Sequence, residues 1–146
     1  MSELGHAASF KDLAVYQKSR SVSDAIFEMT RSFPREEKYA LTDQIRRSSR
    51  SIGAQIAESW GKRRYEKHFV SKLSDADAEQ YETQHWLDEA LGRGYVTPEQ
   101  ADEVLQGLLS IGRMLNSMMR KARLFCTSDA DRVREDPAEY TVDSRD

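Results

Sequence analysis

The sequence predicts an all-α protein, an antiparallel up-down-up-down four-helix bundle. Three observations carry that reading. Apolar residues recur at steps of three, four and seven over four long segments, which is the signature of one buried helix face. Glycine and proline are scarce, at seven and three in 146 residues, and charged residues make up 32%. The segments are separated by short breaks, which makes sequential helices antiparallel neighbours.

The first helix is expected from about Lys11 to Ser32, on the stripe Val15, Val22, Ile26, Met29 and Phe33. The second is expected from about Glu36 to Arg63. Leu41, Ile45, Ser48, Ile52, Ile56 and Ser59 share a face, and Pro34 stands at its start with Glu36 and Glu37 at the positive end of the helix dipole. A third, from about Glu66 to Leu91, carries Phe69, Leu73, Ala76, Gln80, Thr83, Leu87 and Leu91, and Gly92 and Gly94 supply its stop. The fourth has the clearest start: Thr97 as N-cap, Pro98 in the first position and Gln100 completing a capping box. Its stripe runs through Ala101, Val104, Leu108, Ile111, Leu115, Met118, Ala122 and Phe125. Leu105, Leu109, Gly112 and Met119 form a second stripe beside it, so this helix buries more than half its girth or also faces another subunit. Each helix would be roughly 30–45 Å long.

One domain is the expectation at this length, with a core large enough to stand without staples. The single cysteine, Cys126, precludes an internal disulfide and suits a reducing compartment, here the cytoplasm. No apolar run reaches the length of a membrane span, and the first residues lack the basic flank and apolar stretch of a signal peptide. Residues 1–9 read as a flexible start, 10–126 as the bundle, and 127–146 as an acidic tail without apolar periodicity, for which disorder is the default. The tail holds seven acids and three arginines, so the overall charge of −3 arises there and the body is nearly neutral.

No catalytic constellation is visible. Glu82-Thr-Gln-His85 matches half of the ligand set that a di-iron bundle needs, and its counterpart, Glu3-Leu-Gly-His6, lies in the chain's first residues. Neither a metal nor a cofactor is expected. Cys126 has no histidine near it in sequence and reads as a packing residue. Ser48, Ser49, Ser51 and Ser59 lie within a helix rather than on a strained turn, and no phosphate-cradling glycine loop exists.

Charge is more informative. Residues 35–68 contain nine basic and five acidic residues, whereas residues 74–89 contain six acids and no base. On a helical wheel Arg46, Arg47 and Arg50 fall opposite the core stripe of the second helix, with Gly53, Ala54 and Ala57 along the same outward face. An arginine cluster beside small residues suits phosphate oxygens, the acidic face of another copy, or plain solvent. Lys62, Arg63 and Arg64 follow at the helix end, where they extend the basic track or answer the helix dipole. Trp60 and Trp86 read as core or interface residues, because neither is interleaved with the arginines.

Several motifs together carry a resemblance. Phe10-Lys-Asp-Leu-Ala-Val-Tyr-Gln opens the first helix, and Phe33-Pro34 precedes Glu37-Lys-Tyr-Ala-Leu41. Gln44-Ile-Arg-Arg47, Ser51-Ile-Gly-Ala-Gln-Ile-Ala-Glu58 and Glu82-Thr-Gln-His-Trp-Leu87 follow in order. Over residues 10–125 the chain resembles the bacterial four-helix-bundle family of ribosomal RNA intervening-sequence proteins, also called the S23 ribosomal protein family. That family is similar to the accessory variability determinant proteins of diversity-generating retroelements. The resemblance implies a homopentameric ring and no catalytic site; for the retroelement relatives it implies binding of nucleic acid and a reverse transcriptase through a basic surface. The chain departs from the family at Gln55 and Ser59, where Asn and Gly are common, and at Ala78-Glu79, where a Gly-Ser pair is common.

The expectation is therefore a non-enzymatic oligomeric binding or scaffold protein. RNA or DNA would bind through Arg46, Arg47, Arg50, Arg63 and Arg64, and copies would meet through Leu105, Leu109, Met119, Trp60 and Trp86. A scaffold with a protein partner and no nucleic acid is the alternative, and a carboxylate/histidine metal bundle a remote one.

Overall fold

The computed structural model describes residues 7–126. Most of the expected flexible start and the acidic tail lie outside them. Four α-helices make up the fold: α1 (Ala14–Thr30), α2 (Asp43–Gly61), α3 (Glu66–Gly92) and α4 (Pro98–Arg120). No strand occurs among the described residues. Helix α1 packs on α2 and α4, and α3 packs on the same two, so the four close into a bundle in chain order.

Side-chain pairs fix the directions. Late in α1, Phe27 and Thr30 meet Arg46 early in α2, while early Ser19 and Tyr16 lie against Gly53 later in α2. Between α2 and α3, Arg47 meets Glu82, Ser48 meets Thr83 and Glu58 meets Lys72. Between α3 and α4, Gln80 lies against Gly112, and Phe69 against Phe125 just beyond α4. Each neighbour is antiparallel, and the four- and five-residue connections on either side of α3 require this of helices so long. No helix is long and apolar enough to cross a membrane among the described residues.

The core is built from the expected stripes. Ile26, Ile45, Ile52, Ile56, Phe69, Leu73, Leu108, Ile111 and Leu115 are fully enclosed. Polar members of the stripes are satisfied within it. Thr83 Oγ1 donates to the Glu79 carbonyl at 2.8 Å and sits 2.8 Å from Ser48 Oγ, joining α2 to α3. Ser59 Oγ donates to the Ile56 carbonyl at 2.6 Å.

The ends of the helices show where periodicity stops being informative. The N-terminus of α4 is as expected: the Gln100 amide donates to Thr97 Oγ1, and Gln100 Oε1 accepts from the Thr97 amide. At the end of α3, Gly94 rather than Gly92 makes the turn, with φ +78°. The Tyr95 amide reaches back to the Ala90 carbonyl and the Gly94 amide to Leu91, a Schellman closure. Because the chain leaves the core there, Leu91 is 37% exposed and Ala90 takes the buried place expected of it.

The start of the second helix departs most. Pro34 is extended, Arg35–Glu37 is a 3-10 turn and Lys38–Thr42 a π turn before α2 begins. The wider winding buries both Leu41 and Thr42 while directing Glu37 to Tyr95, whose hydroxyl donates to Glu37 Oε2 at 2.7 Å. Helix α1 likewise begins later than expected, at Ala14, after a 3-10 turn (Phe10–Asp12) capped by Ser9. The Ala8 and Ser9 amides donate to Asp12, so these residues of the expected flexible start are tied to the bundle.

Candidate functional site

The arginines of α2 do not share one outward face. A bundle helix has two neighbours, and its flanks lie against them. Arg46 turns to α1, where its Nε donates to Thr30 Oγ1 at 2.8 Å and its guanidinium lies 4.4 Å from the centre of the Phe27 ring. Arg47 turns to α3, where Nη2 donates to Glu82 Oε2 at 2.6 Å; the same oxygen accepts from Trp86 Nε1 at 3.0 Å. Arg50 lies on the same seam, 5.8 Å from the centre of the Phe27 ring, and Arg31 lies 5.9 Å from it. Gly53, placed outward by the wheel, is buried against Tyr16 and Ser19.

Phe27 is thus ringed by three guanidinium groups, a grouping the helical wheel of one segment cannot reveal. The ring is 36% exposed. Arg31 has Glu28 at 3.4 Å, whereas Arg46 and Arg50 have no carboxylate within 4 Å among the described residues. Cations over an aromatic face gain about 0.5–2 kcal/mol each, but like charges this close repel and leave the cluster ready for an anion. Beside it, a cleft of about 410 Å3 between α1 and α2 is floored by Ser19, Ser23, Ser49 and Gly53, with Arg20 and Arg50 at its mouth. The hydroxyls of all three serines donate to carbonyls of their own helices.

The expected extension of the basic track is taken up locally. Arg63 lies 3.6 Å over the Trp60 ring, its Nε donates to the Trp60 carbonyl, and burial lowers its pKa from the usual arginine value. Arg64 is half-buried in the turn between α2 and α3. Lys72 binds Glu58 at 2.8 Å and donates to Gln55 at 3.3 Å, so the chain's Gln55 serves the α2–α3 seam. The opposed charges of the second and third helices therefore meet within one chain.

Glu82 of the Glu-x-x-His pair is held by Arg47 and Trp86, and His85 is exposed, edge-on to Trp86. Among the described residues no three His, Cys, Asp or Glu side chains group as metal ligands would. Burial pushes the Cys126 thiol up from its ordinary pKa, as does nearby Glu66, against the smaller pull of Arg63. A thiol so held stays protonated near neutrality.

The second stripe of α4 is only half-covered. Leu105, Leu109 and Met119 are each half-buried, as are Trp60 and Trp86. Leu105 belongs to a groove of about 550 Å3 on the outer α3/α4 seam. Leu87, Leu91, Pro98 and Ala101 share its lining, and Tyr81, 61% exposed, stands beside them. Gln84, His85, Asp88 and Asp102 contribute polar groups to it.

The architecture is an antiparallel four-helix bundle with an arginine cluster on its α1/α2 seam and an apolar groove on its α3/α4 seam. Comparison with known proteins places it further. Residues 11–117 match the family model described as 23S rRNA-intervening sequence protein. The chain belongs to that family. A crystal structure of a protein with unknown function from the S23 ribosomal protein family of Bacteroides thetaiotaomicron is similar to it. The two share 28% identity and a TM-score of 0.64, over 73% of this chain and 98% of that one. No functionally curated protein matches the chain.

Proposed function

We propose that this chain is a non-enzymatic binding scaffold that works as a homo-oligomer, a ring of five as the family resemblance implies. The observation that carries the reading is the apolar surface one copy leaves uncovered on α3 and α4: half-buried Leu105, Leu109 and Met119, with Tyr81 and Leu91 exposed. Exposed apolar surface that is contiguous and rimmed by polar groups marks an interaction site. Its single cysteine suits work in the cytoplasm. Static light scattering at micromolar concentration tests the reading. A mass several times that of one chain is expected, and a monomer overturns it.

A second reading is favoured by Arg46 and Arg50, which have no carboxylate partner among the described residues. They suit the phosphates of RNA or DNA, with a protein partner as the alternative occupant. In this reading Arg47 and Arg63 contribute less, because Glu82 and Trp60 already hold them. Fluorescence anisotropy of a labelled structured RNA at about 50 and 200 mM salt checks it. Binding that weakens steeply with salt and falls with Arg50→Glu is expected; absence of binding at low salt overturns it.

A further inference from the structure

The α1/α2 seam carries more positive charge than its own carboxylates answer. Arg31, Arg46 and Arg50 converge on the exposed Phe27 ring, and Arg20 stands beside Arg50 at the mouth of the cleft. The carboxylates nearby are Asp24, which faces Arg20, and Glu28, which holds Arg31 at 3.4 Å. The chain itself contains the complementary charge. Residues 135–143 include four acids, Glu135, Asp136, Glu139 and Asp143, and no base. They lie outside the described residues, but the point from which they depart does not.

A path joins that point to the cluster. Phe125 stacks on Phe69, and the Cys126 thiol feels the charges of Glu66 and Arg63, so Cys126 sits at the end of the bundle where α2 turns into α3. The α1/α2 cleft begins at that same end, with Phe10 and Ala57, and runs past Ala54, Gly53 and Ser49 to Arg50. Its floor is of small side chains, and its serine hydroxyls are used within their own helices, so an extended chain can lie close along it. From the level of Arg63 to that of Arg46 is about 25 Å along α2. Glu135 is nine positions past Cys126, a reach of about 30 Å for extended chain, and Asp143 is seventeen positions past it, a reach of about 55 Å. The stretch between, residues 129–134, balances two acids with two arginines. The excess acid of the tail therefore begins where the chain can first meet the cluster.

We propose that residues 135–143 dock on the arginine-ringed Phe27 of their own chain and cover it against other anions. Glu135, Asp136, Glu139 and Asp143 meet Arg31, Arg46 and Arg50, and Tyr140 packs on the exposed part of Phe27. A tethered segment acts at millimolar effective concentration, so ion pairs that are weak one by one keep the cluster occupied. Salt screens such pairs and releases the segment. Any phosphate-bearing partner of the cluster must then displace it. That consequence rests on the nucleic-acid reading above, whereas the docking itself does not.

Paramagnetic relaxation in the full chain tests the docking. A nitroxide is attached at Ser144→Cys in a Cys126→Ser background, and backbone amides are read by NMR at low salt. Broadening is expected at Phe27, Arg31, Arg46 and Arg50, and not at Tyr81 and Leu105 across the bundle. It should vanish in the amide variant, Glu135→Gln, Asp136→Asn, Glu139→Gln and Asp143→Asn, and in Arg31→Gln with Arg50→Gln, each with the helical circular dichroism of the wild type. Absence of broadening at the cluster overturns the proposal. Equal broadening of isotope-labelled copies that carry no nitroxide, mixed with copies that do, also overturns it, because the segment then docks between chains. Labelled RNA gives a second readout. With the segment docked nine-tenths of the time, the amide variant is expected to bind RNA about tenfold more tightly than the wild type at low salt. Tighter binding without broadening in the wild type is general repulsion by the tail and overturns the proposal. Broadening at the cluster with no RNA binding by either protein supports the docking and overturns the nucleic-acid reading alone.

Discussion

At the scale of single residues, Gly107 and Gly61 show how position decides the effect of one methyl group. A Cβ on Gly107 would stand 2.7 Å from Val22 Cγ2, where α4 crosses α1, whereas one on Gly61 would meet nothing within 4 Å. Overpacking a core costs about 1–3 kcal/mol, and alanine in a helix returns about 1 kcal/mol over glycine. Gly107→Ala is therefore expected to lower stability by up to about 2 kcal/mol, and Gly61→Ala to raise it by about 0.4–1 kcal/mol. Urea unfolding midpoints at equal m-value check both. The same dependence on neighbours governs the arginines. Their identity and spacing are plain in the sequence, but Phe27 is nineteen residues before Arg46, and only the pairing of α1 with α2 brings the two together.

At the scale of elements, helix interiors were legible and helix ends only in part. The start of α4 could be read because a capping box is local chemistry: Thr97, Pro98 and Gln100 satisfy orphan amides within one turn. The start of α2 could not, because its winding answers to a distant residue. Glu37 is drawn to Tyr95, fifty-eight positions away, and to Arg93 at 3.9 Å. This contact pins the α1–α2 connection to the end of α3 and is sensitive to pH. The hydrogen bond to Glu37, then loss of hydration, then the Glu37 charge raise the Tyr95 phenol above its ordinary pKa. A raised folded-state value means that the stabilisation is complete below the ordinary phenol range near ~10 and is lost as pH rises through the raised value. A phenolate absorbance titration is expected to show one of the six tyrosines ionising late. Tyr95→Phe should remove that step, and Glu37→Gln should move it to lower pH.

At the scale of the whole molecule, aromatic contacts close the bundle at both ends. Phe33 lies 5.5 Å from Tyr95 at one end, and Phe125 stacks at 5.8 Å on fully buried Phe69 at the other. Phe125 lies past the last turn of α4, where the apolar repeat continues although the α-helix does not. Its half-burial makes Phe125→Ala worth about 1–2 kcal/mol, below the value for a fully buried ring. A drop in thermal midpoint with unchanged helical content is the expected result. The sequence by itself determined the four helices, their antiparallel order and the core stripes, because a period of 3.6 gives each helix one face to bury and the short connections on either side of α3 turn the chain back on itself. Tertiary structure alone decided which arginines are consumed by Glu82 and Trp60 and which gather on Phe27, because a helix flank is outward or inward only with respect to its neighbours. It also decided that an apolar groove with Asp88 and Asp102 lies across the bundle from that cluster, since both are made by side chains from two helices and belong to neither alone.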